Sequence, residues 1–251
     1  VAMINYVVDG DPQAPVLVLG SSIGTSHHLW DPQLPGLVQD FRVVRFDLPG
    51  HDGKPAPVGP YTVRALAEEV LRVADAVGVE TFVYCGLSMS GAIGQQLALD
   101  HPDRVTKLVL VCTSATFGDD PAPWLDRAAR VRAEGTGFLV DLARGRWFVT
   151  DAPVPPHGRE LLEAQTGIDA EGYAACCEAL ATFDSRDALG GLRVPTRVIA
   201  GARDIATPPA MAQELTDSIP GADLVVVPQA AHLANVEQPA AVLQAMRGHL
   251  R

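Results

Sequence analysis

Positive charge is scarce in this sequence. Nineteen lysines and arginines stand against thirty acidic residues in 251 positions, a formal charge of −11. Such a chain repels polyanions, and no Lys/Arg run offers a local exception, so nucleic acid and anionic membrane surfaces are disfavoured as partners. Long apolar runs are missing too. Nowhere do about 18 charge-free apolar residues run together, as a membrane-spanning helix requires. The opening VAMINYVVDG has neither the basic segment nor the apolar stretch of an export signal, so a soluble cytoplasmic protein is expected. Cysteine is sparse: Cys85, Cys112, Cys176 and Cys177 form no secreted-type framework, and two of them fall in predicted strands. They read as reduced, small core residues with no metal or redox role. An anionic substrate would need local basic residues to overcome the overall field, which makes isolated arginines near a site interesting.

Apolar material is abundant. Hydrophobic residues make up 47% of the chain and charged residues 20%, enough for a sizeable core, and no shift in composition favours two separate domains. Short β-branched runs recur at Ile4–Val8, Val16–Leu19, Val43–Asp47, Thr81–Cys85, Lys107–Cys112, Thr196–Ala200 and Asp223–Val227. They read as strands, the apolar ones buried on both faces. Helical patterns lie between several of them: Tyr61–Val77 spaces Leu66, Val70, Val73, Ala74 and Val77 along one face, and Gly78 follows as a stop. Alternation of strand and helix implies an α/β chain with a mostly parallel sheet flanked by helices. The rhythm breaks over 117–187, which holds helical patterns and a Pro-rich loop at Asp151–His157 but no convincing strand. A single domain is expected, with its core at 1–116 and 188–251 and a helical lid insertion between. No internal repeat or low-complexity tract is present.

The strand at Thr81–Cys85 runs directly into Gly86-Leu87-Ser88-Met89-Ser90-Gly91 and then into a helical pattern at Ala92–Leu99. A serine on such a tight strand-to-helix turn is held in a strained conformation, needs small neighbours and projects its Oγ above the sheet. Ser88 is the predicted nucleophile. The usual G-x-S-x-G would have glycine at 90, where this chain has Ser90, so the spacing is tolerable only if the packing leaves room for a small side chain. A serine nucleophile needs a base and an orienting acid, in the chain order Ser, Asp or Glu, His. Asp204, in the loop after Thr196–Ala200, and His232, in the loop after Asp223–Val227, supply that order. His101, His157 and His249 fall in a helix-end turn, a polar loop and the C-terminal tail. Asp187 and Asp223 are rival acids whose places suggest structural or solvated roles. The developing oxyanion needs backbone donors. Met89 N–H is one, and Ile23, in the small-residue loop Gly20–Thr25, is the choice for the other.

Across nearly the whole chain, GLSMSG, DLPGH, SSIGTSHHLWDPQ, GRWFVT, EGYAACCEAL, AGARDIATPP and AAHLANVEQP resemble the 3-oxoadipate enol-lactonases of the β-ketoadipate pathway, members of the α/β-hydrolase superfamily. The resemblance implies an α/β-hydrolase fold and a cytoplasmic, cofactor-free, metal-free serine hydrolase that opens the enol-lactone to 3-oxoadipate in aromatic catabolism. By position, Ser88, Asp204 and His232 match the family triad, and Ile23 and Met89 its oxyanion donors. The chain departs from the family pattern at Ser90, at SSIGT in place of NSLGT, and at Gly50-His51-Asp52-Gly53, where GHG has gained a residue. These changes bear on the pocket and therefore on substrate identity. Ser22, Trp30, Arg146 and Trp147 are the candidate substrate contacts, with Arg146 a carboxylate clamp; His27 and His28 are weaker ones. An esterase or carbon–carbon bond hydrolase on the same triad stays open, as does a non-hydrolytic descendant that binds or cyclises a metabolite. The expected partner is a small lactone or ester, and the composition fits monomer or homodimer alike.

Overall fold

A computed structural model describes residues 4–51 and 53–250. Asp52, the extra residue of the Gly50–Gly53 segment, lies outside the described residues. Among the described residues, seven strands form one sheet: β1 (Tyr6–Asp9), β2 (Val16–Gly20), β3 (Arg42–Phe46), β4 (Phe82–Leu87), β5 (Val105–Val111), β6 (Thr196–Gly201) and β7 (Asp223–Val227). Their spatial order is β1-β3-β2-β4-β5-β6-β7, with β1 antiparallel to β3 and all other pairs parallel. Each predicted strand is present within a few residues of its predicted place.

Because successive side chains of a strand point to opposite faces, the sheet feeds two separate cores. Val16 and Val18 of β2, Phe82 and Tyr84 of β4, Leu108 and Leu110 of β5 and Val198 of β6 enter one. Leu17, Leu19, Val83, Cys85, Val109, Val111 and Ile199 enter the other. The first core is covered by α2 (Val63–Ala76), α3 (Met89–Asp100) and α8 (Pro209–Ser218), and the second by α1 (Leu34–Leu37), α9 (Ala234–Glu237) and α10 (Pro239–Leu250). The edges differ from the expectation of burial on both faces: Tyr6 and Val8 of β1 and Val226 of β7 are exposed, since an edge strand has a neighbour on one side only. All four cysteines are free and buried. Among the described residues, no helix is long and apolar enough to cross a membrane.

Between β5 and β6 the chain forms α4 (Ala122–Glu134), α5 (Leu139–Trp147), α6 (Pro156–Ala164), a short 3-10 turn (Gln165–Gly167) and α7 (Ala170–Ala181). The two feet of this segment are tied together by an antiparallel bridge between Thr116 and Asp184 and by the Ser185 N–H to Ala115 O bond of 2.9 Å. Helix α6 begins inside the stretch predicted as a Pro-rich loop, because Pro155 and Pro156 fall where a helix start needs no N–H donor. His157 is therefore in a helix, not a polar loop. Its Nε2 lies 2.8 Å from His28 O and its Nδ1 3.1 Å from Glu160. His249 likewise belongs to α10 and meets Pro195 O.

Candidate active site

Strand β4 ends at Leu87, and Ser88 then turns the chain into α3 with φ 56° and ψ −116°, a region that non-glycine residues adopt only under constraint. The constraint is visible. Ser88 N–H donates to Val111 O of the neighbouring strand (2.9 Å), and Thr113 Oγ1 donates to Ser88 O (2.7 Å). A Cβ at Gly86 would collide with the Ser90 carbonyl, and one at Gly91 with the Thr113 side chain. Ser90 fits because Gly20 faces it: a Cβ at Gly20 would stand 2.5 Å from Ser90 Cβ. Room for the extra side chain is thus supplied by the neighbouring strand. Ser90 Oγ uses that room to donate to Ser21 O (2.6 Å), tying the elbow helix to the loop after β2. Ser90→Ala is expected to cost about 1–2 kcal/mol, because it strands a buried carbonyl; thermal unfolding of the variant checks this.

Asp204 and His232 follow the ends of β6 and β7, and the fold brings them together. His232 Nδ1 lies 2.8 Å from Asp204 Oδ2, with both side chains buried. Asp204 also accepts from Ala206 N–H, Thr207 N–H and Thr207 Oγ1 at 2.7, 3.0 and 2.8 Å. Burial pushes its carboxyl pKa up, but the His232 charge and these donors outweigh burial and hold it below the usual carboxylate range. It therefore remains an anion that holds the imidazole with Nδ1–H toward the acid. The rival acids are placed elsewhere: Asp223 pairs with Arg197 at the far end of the sheet, and Asp187 is exposed ahead of a short 3-10 turn.

The loop carrying His232 has a second support that the sequence reading missed. Glu237, in α9, accepts from Ala231 N–H (2.6 Å) and from Val149 N–H (2.8 Å), while Leu233 N–H donates to Trp147 O (3.0 Å). The histidine loop is thereby bonded to the segment that ends α5, in the middle of the helical insertion. Burial raises the Glu237 pKa, against the pull of its two backbone donors.

Ser88 and His232 line one cavity. Ser22 and Ile23 from the loop after β2, and Arg146 and Trp147 from α5, line it too. Met89 is the first residue of α3, where an N–H has no intrahelical acceptor; its side chain is buried in the core. Trp30 is a correction. It is fully buried, does not line the cavity, and donates from Nε1 to Gly20 O (3.1 Å), so it braces the loop from behind. His27 and His28 also point elsewhere, engaging Asp47 and Asp31 at 2.9 and 2.8 Å.

The remaining walls come from Phe117, Trp124, Arg127, Leu139, Leu142, Ala143, Gln165, Tyr173, Ala206 and Thr207. Of these, Arg127 matters most. Its guanidinium lies over the Trp124 ring, 4.5 Å from the centroid, and Trp124 precedes it by three residues, the spacing that places two side chains on one helix face. That spacing was the available signal. Nearby arginines are neutralised by carboxylates: Arg132 by Glu171 and Glu178, Arg186 by Asp119 and Asp184, Arg203 by Asp151. Among the described residues, neither Arg127 nor Arg146 has a carboxylate partner of this kind. Burial first, and then the charge of Arg127, lowers the Arg146 pKa, against the opposing pull of Tyr173 and Asp204.

A strained serine, a histidine fixed by an ionised acid and a cationic patch in one cavity form an arrangement suited to acyl transfer on an anionic ester. Comparison with known proteins agrees with this chemistry. A family model described as the alpha/beta hydrolase fold matches residues 15–143. A 3-oxoadipate enol-lactonase of Acinetobacter baylyi is 35% identical, the alignment covering 99% of this chain and 93% of that protein. The crystal structure of an enol-lactonase from Burkholderia xenovorans superposes with a TM-score of 0.93 at 37% identity, over 98% of this chain and 96% of that one. A Stutzerimonas stutzeri protein named as a carbamate hydrolase is 30% identical over 98% of this chain and 96% of its own length. The chain is a hydrolase that belongs to the α/β-hydrolase superfamily and, within it, to the 3-oxoadipate enol-lactonase family.

Proposed function

We propose that the chain hydrolyses the enol-lactone of 3-oxoadipate to 3-oxoadipate through an acyl-enzyme on Ser88. The observation that carries this reading is the pairing, in one cavity, of the Ser88 and His232 side chains with two arginines that lack carboxylate partners. His232, oriented by Asp204, takes the Ser88 proton as Oγ attacks the lactone carbonyl. The tetrahedral oxyanion is held by the N–H groups of Ile23 and Met89. Collapse breaks the bond between the carbonyl carbon and the ring oxygen. That oxygen departs as an enolate, a better leaving group than an alkoxide, and stays attached to the acyl chain. Protonation on carbon by the proton that His232 took from Ser88 makes it a ketone and leaves His232 neutral again. Water deprotonated by His232 then attacks the Ser88 ester, releasing the carboxylate and restoring the serine.

The lactone carries a carboxylate away from the reacting bond, and Arg127 and Arg146 are placed to receive it from the insertion, which acts as a lid. Loss of ultraviolet absorbance of freshly made lactone tests the reading. Efficient turnover is expected. Arg127→Met and Arg146→Met are expected to raise KM for the lactone roughly tenfold each while leaving cleavage of neutral nitrophenyl acetate within about twofold, because only the charged substrate uses the cations. Absence of lactone turnover, with a nitrophenyl ester or a small carbamate cleaved, would move the function to that other acyl substrate.

A further inference from the structure

Gln165 lies at the junction between α6 and α7, in the 3-10 turn of the insertion, and lines the same cavity. Its side chain is 1% exposed, yet its Nε2 has no hydrogen-bond partner among the described residues. A buried carboxamide N–H2 without an acceptor is costly, and native proteins rarely leave one so unless something else occupies the place. The position of the amide is fixed by packing. Gln165 and Trp147 both rest on Gly24, the residue after Ile23: a Cβ built there would stand 3.2 Å from Gln165 Oε1 and 3.0 Å from Trp147. Gly24 has φ +88°, so this close approach and the turn it makes both select glycine.

The donor therefore sits beside the loop that carries the Ile23 N–H. The two arginines lie in a different part of the cavity. Together with Trp124, Phe117, Ala206 and Thr207 they also wall an adjoining cleft in which neither Gln165 nor Ile23 takes part. A ligand whose carboxylate reaches the arginines thus still leaves the Gln165 amide, in the wall near Ile23, without an acceptor from the protein. Beside that donor stand the Trp147 ring and the Ile23–Gly24 backbone.

We propose that Gln165 is a specificity-determining residue whose amide N–H donates to an oxygen carried on the acyl chain of the substrate, distinct from the carbonyl that Ser88 attacks. Resting on the lactone reading above, that oxygen is the one released from the ring and retained as the enolate and then the ketone. A substrate with an acceptor at this place satisfies the buried amide, and an all-carbon acyl chain leaves it unmet.

The test compares kcat/KM for 4-nitrophenyl 4-oxopentanoate, which repeats the acyl portion of the ring-opened product, with that for 4-nitrophenyl pentanoate. Taking the ratio in wild type and in Gln165→Met cancels the different intrinsic reactivity of the two esters. The ratio is expected to fall about fivefold to tenfold in the variant, with the pentanoate ester cleaved at its wild-type rate within about twofold. Retained pentanoate cleavage also shows that the variant folds. Should Gln165→Met not fold, Gln165→Asn withdraws the donor by one methylene and is expected to lower the ratio in the same direction. An unchanged ratio, or a parallel fall for both esters, overturns the proposal and leaves Gln165 a packing residue. Because the ratio needs only ester cleavage, failure of the lactone as substrate is read separately from failure at Gln165.

Discussion

Asp204→Asn is expected to lower kcat roughly ten-thousand-fold with little change in KM, the size of effect seen when an orienting acid is replaced by its neutral isostere. The carboxylate accepts at once from Ala206 N–H, Thr207 N–H, Thr207 Oγ1 and His232 Nδ1–H. Asparagine has one acceptor oxygen and one N–H2. The two backbone N–H groups claim the oxygen at the Oδ1 position, so the N–H2 takes the place of Oδ2 and faces the imidazole. A donor there forces the proton of His232 onto Nε2, the nitrogen needed as base. The cavity walls are untouched, which is why KM holds. Steady-state kinetics on wild type and variant decide it, with thermal unfolding as a check on folding. A loss below about tenfold would mean that the acid does not set the tautomer.

Gly86→Ala is expected to be the most damaging single methyl group in the elbow. The added Cβ meets the Ser90 carbonyl, which is main chain and is itself held by Tyr84 Oη at 2.8 Å, so neither side can yield without opening the turn. Overpacking of this kind costs roughly 2–4 kcal/mol and should lower Tm by roughly 5–10 °C in a domain of this size. Because the movement displaces Ser88 and Met89 together, a hundredfold or greater loss in kcat should accompany it. Gly145→Ala is the control. That glycine is exposed in α5 with nothing within 4 Å of an added Cβ, and the change should leave stability equal or raise it by about 0.5–1 kcal/mol. Equal effects from the two substitutions would contradict the packing described around the elbow.

Most parts of the candidate site that were legible in the sequence share one property: each is fixed by the end of a strand. Ser88, Asp204 and His232 follow β4, β6 and β7, and a parallel strand's carboxyl end has a known place in the sheet. Once the strands were found, the loops after them had to converge. The insertion offered no such frame. Its helices present several faces, and which one meets the cavity depends on packing between helices that are distant in sequence. Arg146 was found because it neighbours Trp147 in a recognisable segment; Arg127 was not, although Trp124 three residues earlier marked its face. Gln165 left no signal at all, since a glutamine in a polar stretch normally faces water. Trp30 failed for a related reason. An aromatic ring suits a pocket wall and a core alike, and the 3-10 turn His27–Trp30 carries this one behind the Gly20–Thr25 loop and into the core.

The central claim is covalent: Ser88 carries the opened lactone. Rapid mixing of the protein with fresh enol-lactone, quenching in acid and weighing the peptide that contains Ser88 tests it most directly. A lactone opens without losing an atom, so the account predicts that peptide heavier by the mass of the whole lactone, with the adduct and lactone turnover both absent from Ser88→Ala. Consumption of the lactone with Ser88 unmodified, and undiminished in Ser88→Ala, would contradict it.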